Sequence, residues 1–235
     1  MRRFAFILAL AAFQAHAAHP LITGDTGTLG AGRWQLEGFS EQSKERATGR
    51  RVQLDQVVLS RGLTERMDLQ LDVPWYRDGA DDLGDVALDL KWRFLERGPL
   101  SLGLKPGFTL PSGDERDGRG TGKITWGGLF IASWQPGPLA AHAHVGYRRN
   151  ENKLNERRSL SQLAAAVTYA YGAVRFVGEL ARETNPVPGG RTVRYSTLGA
   201  IWSVTRGIDF DLGWRDGHGG APIDDVILLG ATLRW

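Results

Sequence analysis

Apolar and polar residues alternate along most of this chain, and that period of two restricts what it can become. In ERMDLQLDVPWY, Met67, Leu69, Leu71, Val73 and Trp75 fall on one face of an extended strand, with Asp68, Gln70 and Asp72 on the other. In GDVALDLKWRF, Val86, Leu88, Leu90, Trp92 and Phe94 oppose Asp85, Asp89, Lys91 and Arg93. PLSLGLKPGFTL sets Leu100, Leu102, Leu104, Phe108 and Leu110 against Ser101, Lys105 and Thr109. LAAHAHVGYR and GIDFDLGWR repeat the pattern, with His142, His144, Arg148, Asp209, Asp211 and Arg215 on their polar faces. Further strands are expected near residues 33–43, 51–60, 122–135, 159–170, 172–184, 191–204 and 225–235, where the faces are less clean; around Leu198 to Trp202 the parity stays open. That makes twelve segments.

Water-soluble β-sandwiches also alternate, and two features weigh against one. The polar face carries full charges of both signs in mid-strand, while the apolar face is large, aliphatic and closes in Trp, Tyr or Phe. Lipid outside and water inside produce that arrangement, with aromatic girdles at the interfaces. The connections also alternate. RGLT, ERG, QPG, YG and TRG are short; KERATGR, RDGADDLGD, PSGDERDGRGTG, NENKLNERR, NPVPGG and DGHGGAPIDD are long and polar. Transmembrane barrels have this rhythm and an even strand number. The expected fold is all-β: a transmembrane antiparallel up-and-down barrel of about twelve strands over residues 33–235, with residues 18–32 as an N-terminal periplasmic or lumen segment.

The ends fit an exported protein. Residues 1–17, MRRFAFILALAAFQAHA, have a basic start, an apolar run and an Ala-x-Ala close, which is the pattern of a cleaved secretory signal peptide. Without Arg2 and Arg3 the count is 27 bases against 26 acids, so the charge gives no reason to expect a nucleic-acid partner. There is no cysteine, hence no disulfide framework. The closing GATLRW resembles the C-terminal signal of bacterial outer-membrane barrels, which implies recognition of Trp235 by the barrel-assembly machinery.

PLITGDTGTLGAGRWQLEG, LGDVALDLKWRF and GLKPGFTLPSGDERDGRGTG resemble segments of the MetA-pathway phenol-degradation family of outer-membrane barrels, over about Pro20 to Trp235. The resemblance implies uptake of aromatic compounds and supplies no catalytic residues.

The lumen is where function is expected. Its candidate lining residues are Asp68, Asp72, Asp85, Asp89, Lys91, Arg93, Lys105, His142, His144, Arg148, Arg175, Glu179, Arg194, Asp209, Asp211 and Arg215, arranged as cross-strand ion pairs around a narrow pore for small solutes. Pro74 and Pro106 cannot donate ladder hydrogen bonds and mark candidate gaps for lateral passage. No cofactor or metal is expected, and His142 and His144 are expected to be solvated. Outer-membrane lipid and lipopolysaccharide are the expected surroundings.

Other motifs carry less. Asp25-Thr26-Gly27 matches an aspartic-protease tripeptide but lacks the second copy that chemistry needs, so a local turn is expected. GRGTGK fails the phosphate-loop spacing and is expected to be a flexible loop. Two alternatives to a channel stay open: a structural or adhesive barrel acting through its outer loops, and a rim hydrolase using Asp81, Asp82, Asp85 and His218.

Overall fold

A computed structural model describes residues 19–46, 48–77 and 81–235, so the signal-peptide expectation lies outside the described residues. The strands are β1 (Trp34–Glu45), β2 (Arg51–Thr64), β3 (Met67–Arg77), β4 (Asp81–Leu83), β5 (Ala87–Arg97), β6 (Leu100–Thr109), β7 (Thr125–Trp134), β8 (Leu139–Arg149), β9 (Ser159–Tyr171), β10 (Val174–Glu183), β11 (Val193–Ser203), β12 (Ile208–Gly219) and β13 (Ile223–Arg234). Among the described residues there is no helix.

Each long strand pairs antiparallel with its sequence neighbours, and β1 pairs with β13 from Gln35↔Arg234 to Glu45↔Ile223, which closes a twelve-stranded barrel. At the seam Trp34 and Trp235 donate backbone N–H groups to one another, and their rings stack 6.5 Å apart. The thirteenth strand, β4, was not foreseen. It pairs with β3 through Trp75↔Leu83, beyond the point where β3 leaves β5 at Asp72↔Ala87. The change of partner falls at Pro74, whose carbonyl accepts from the Gly84 N–H.

Several strands run further than alternation suggested. RGLT ends β2, with a register shift at Gly62/Thr64, and only residues 220–222 separate β12 from β13. The open parity of β11 resolves cleanly. Val193, Thr197 and Ile201 are buried, whereas Arg194, Leu198 and Trp202 are exposed.

The outer wall exposes an apolar belt that includes Leu69, Leu104, Phe130, Val167, Phe176, Leu212 and Leu229. Exposure of this kind all round a closed sheet suits a lipid surround, because the backbone is satisfied within the barrel while the side chains meet hydrocarbon. The inner wall departs from a plain polar lining. Ile131 and Leu228 face inward and are 0% exposed, so something inside must cover them.

Candidate functional site

What covers them is the chain's own N-terminal segment, residues 19–32. Its hydrogen bonds reach strands on every side of the barrel, which only a segment inside the closed sheet can achieve. Leu29 N donates to both carboxylate oxygens of Asp68 on β3 at 3.1 Å. Lys91 on β5 reaches Asp25 Oδ1 at 3.2 Å and the Gly27 carbonyl at 3.0 Å. Thr26 Oγ1 lies 2.5 Å from Ser101 Oγ on β6, and Thr26 N donates to Ser133 Oγ on β7 at 3.2 Å. Gly24 N donates to His144 Nδ1 on β8 at 3.0 Å. His19 Nδ1 lies 2.5 Å from Asp211 Oδ1 on β12, its ring stacked on Phe39 of β1.

Glu179 on β10 is the most heavily used anchor. Its carboxylate accepts from Ile22 N at 3.1 Å, Thr23 N and Thr23 Oγ1 at 2.5 Å, and Thr197 Oγ1 at 3.1 Å. A buried carboxylate with all its donors in place is worth its desolvation; one without them is not. The segment leaves the lumen through Gly30 (φ 89°) and Gly32 (φ 78°), conformations that glycine adopts without penalty. There Gly32 N donates to Gly62 O at 2.8 Å, and a Cβ on Gly62 would sit 1.8 Å from the Gly30 carbonyl oxygen. Gly62 is therefore required by the close approach of two backbones.

Asp25 makes the expected local turn, its Oδ1 accepting from Gly27 N at 2.7 Å. The inward apolar residues also find their reason. Ile131 lies against Gly24, and Pro20 lies against Gly213 beside Leu228.

Beyond the segment, towards the long connections, a cavity of about 530 Å³ remains open. Asp72, Asp89, Lys105, Arg148, Gln162 and Glu183 line it. Lys105 pairs with Asp89 at 3.1 Å, and Asp72 accepts from Gln56. At its mouth Asp85 takes N–H donors from Gly113 and Thr121 and the Thr121 hydroxyl, at 2.8 to 3.1 Å. Lys153 lies 2.7 Å from Glu115 across two outer connections, and that hydrogen bond holds the Glu115 carboxyl below its usual range.

Most of the lining residues named from sequence face inward. Asp68, Lys91, His144, Glu179, Asp211 and Arg215 hold the segment, Arg215 reaching the Pro20 carbonyl at 3.2 Å and Glu41 at 3.2 Å. Asp209 pairs with Arg234 at 2.7 Å. Arg93 lies near the short-turn end, where Nη2 donates to the Glu65 carbonyl at 3.1 Å. Arg175 faces inward on β10, on the same side as Val177 and Glu179.

Four expectations change. Arg194 stands on the outer wall, on the exposed face of β11, because the inward parity belongs to Val193 and Thr197. Asp85 precedes β5 and serves the loops, since its carboxylate satisfies their amides. His142 and His144 are buried at 3% and 2% exposure, the first beside Ser133 Oγ at 2.9 Å, the second between Gly24 and Gln162. The Gly24 N–H on Nδ1 makes His144 the Nε2–H tautomer that donates to Gln162. Finally, the GRGTGK loop is tied to Asp85 at Thr121, whose N–H and hydroxyl both donate to that carboxylate.

Of the rim-hydrolase candidates, Asp82, Asp85 and His218 are not brought together, and the Asp81 side chain lies outside the described ones. Asp85 is committed to backbone amides and Asp82 lies 3.9 Å from Arg119 near β3, whereas His218 is on β12, against Ser196 and Asp216. Among the described residues no cluster of three or more His, Cys, Asp or Glu could hold a metal.

Residues 23–235 match the family described as the MetA-pathway of phenol degradation. The chain belongs to this family. No curated protein sequence matches it. Among solved structures, an outer-membrane channel from Pseudomonas putida F1 is similar with a TM-score of 0.68 at 13% identity, over 92% of this chain and all of that one. The NanC porin and the KdgM porin each give a TM-score of 0.62, at 10% and 9% identity, over 85% of this family member and 98% of theirs. These likenesses establish the fold, that of outer-membrane channels.

Sequence reasoning missed Glu37, Glu41 and Glu183, which share the inward face, because their stretches do not alternate cleanly. It left open whether residues 18–32 enter the lumen. The signal that could have closed that question is apolar residues at successive positions, as in Phe130-Ile131 and Ile227-Leu228-Leu229: an inward leucine needs a cover.

Proposed function

We propose that this family member is an outer-membrane channel for small solutes, aromatic compounds among them, with both termini on the periplasmic side and no enzymatic role. One observation carries the reading: a closed barrel whose lumen divides into an inner half filled by the chain's own segment and an outer half open as a cavity of about 530 Å³. Solute entering from the long-connection side meets a charged, wet chamber and then a floor. Two exits are available: along the axis if the segment moves, or sideways through the wall.

The wall's ladder is interrupted between β5 and β6. Pro106 and Lys105 have no partner on β5, the β5–β6 ladder passing from Asp89↔Gly107 to Trp92↔Leu104, and are paired only with β7. Gly107, Gly127 and Gly146 put no side chains on the inner face there, and the cavity lining includes outward Phe108, Trp126 and Tyr147 beside inward Lys105. An aromatic solute would leave a charged chamber for lipid at such a place. Replacing Pro106 by valine restores a donor to the ladder. Pro106→Val is expected to lower uptake of a neutral aromatic solute into proteoliposomes several-fold while leaving ion conductance unchanged; unchanged uptake would remove the lateral route.

Five carboxylates (Asp72, Asp85, Asp89, Glu156, Glu183) and two basic groups (Lys105, Arg148) line the chamber. Folded protein in a planar bilayer is therefore expected to give small, discrete openings with a weak cation preference, read from the reversal potential under a salt gradient. A silent bilayer from well-folded protein would favour the structural or adhesive alternative.

A further inference from the structure

The outer wall carries a feature that transport does not use. Arg182 on β10 and Arg194 on β11 are direct register partners, and His218 on β12 is the next partner in the same row. All three are exposed and face outward, at the long-connection ends of their strands. Neither arginine has an ion-pair or hydrogen-bond partner among the described residues. His218 Nε2 lies 3.1 Å from Ser196 Oγ and 3.2 Å from Asp216 Oδ2, and Asp216 is the nearest outward acid on that strand. Like charges directly opposite one another across a ladder oppose pairing. Two unpaired guanidiniums beside a histidine therefore mark a place where an anion is wanted.

The surroundings say which kind of anion. Immediately inward along the same strands lie Leu180 and Leu198, 70% and 64% exposed. From there a shallow apolar trough of about 740 Å³ crosses the wall, floored by Ala143, Ala165 and Gly178 and bounded by Trp134 and Trp214. A cationic rim at the head of an acyl-sized trough complements a molecule with phosphate at one end and hydrocarbon at the other. Guanidinium forks match phosphate in pairs, and long side chains near the end of a spanning strand can hold their charge in the headgroup layer.

We infer that Arg182, Arg194 and His218 bind a phosphate of the lipid A part of lipopolysaccharide, with an acyl chain lying in the trough. The choice of lipid A over a phospholipid rests on the orientation proposed above, which puts this rim in the outer leaflet. The binding test itself does not depend on that orientation or on transport.

The test is native mass spectrometry of the full folded chain in detergent, with purified diphosphoryl lipid A as the probe. The parent is expected to retain one lipid A, and Arg182→Gln/Arg194→Gln to bind it at least tenfold more weakly. Arg182→Lys/Arg194→Lys, which keeps the charge, is expected to retain most of the binding, and heat-dependent gel mobility checks that each variant is folded. Equal binding by the glutamine variant overturns the site. Equal binding of fully dephosphorylated lipid A by the parent overturns the phosphate contact, and equal binding of phosphatidylglycerol overturns the assignment to lipid A.

Discussion

Glu179→Ala is expected to convert the quiet, partly filled barrel into a frequently open one. The substitution strands the Ile22 and Thr23 amides and the Thr23 hydroxyl, all held by one carboxylate at 2.5 to 3.1 Å. Hydrogen bonds to a charged group contribute about 1.5–3 kcal/mol each. Allowing for water reaching the freed groups, a net loss on the order of 3 kcal/mol shifts the docked-to-released ratio of the segment roughly a hundredfold. Single-channel recordings should show longer and larger openings than the parent, while gel mobility confirms a folded barrel. Glu179→Gln, which keeps an acceptor oxygen, should lie between the two. Recordings identical to the parent's would mean that the segment does not limit ion flow.

The second large effect comes from locking the segment in place. A Cβ built on Gly103 would lie 3.8 Å from the Cβ of Thr26, inside the range a disulfide requires. The chain has no cysteine of its own, so Thr26→Cys/Gly103→Cys creates one defined bridge. The cost is local: the new Cβ sits 3.2 Å from the Trp92 carbonyl, and Thr26 gives up its contact with Ser101. Combined with Glu179→Ala, oxidation is expected to return conductance to the parent's level or below, and reductant to restore it. Solute flux that persists through a complete cross-link would exclude the axial path and leave the wall around Pro106 as the exit. The pair of experiments therefore separates the two routes.

The architecture was legible because alternation is a local property. A strand with one face in lipid and one in a wet lumen advertises itself within ten residues, as Met67 to Trp75 do, and the long-short rhythm of connections follows from strands that run alternately up and down, fading only at β12–β13, where residues 220–222 intervene. Legibility failed where a position depends on something distant. Arg194 sits in a stretch where Ser196, Gly199 and Ala200 blur the two faces, and only its pairing with Arg182 and His218 shows which way it points. The segment was readable as a turn at Asp25-Gly27, but Asp25 meets Lys91, 66 residues away, and His19 meets Asp211, 192 away. No local pattern contains such contacts. Even so, the inward apolar residues Ile131 and Leu228 were visible as breaches of alternation, and each proves to lie beneath the segment.

The spread of the segment's contacts has a thermodynamic consequence. Asp68, Lys91, Ser133, His144, Glu179 and Asp211 converge on it only when the sheet has curled shut, since in a flat sheet they would be spaced across many strands. The segment thus behaves as a ligand carried on the chain that recognises the closed form alone. By mass action, whatever binds only the native state stabilises it, and a covalent tether makes this ligand's effective concentration high at every dilution. Solute that drew the segment out would spend part of its own binding free energy undoing that linkage, so this barrel's permeability and its resistance to unfolding are two readings of one equilibrium.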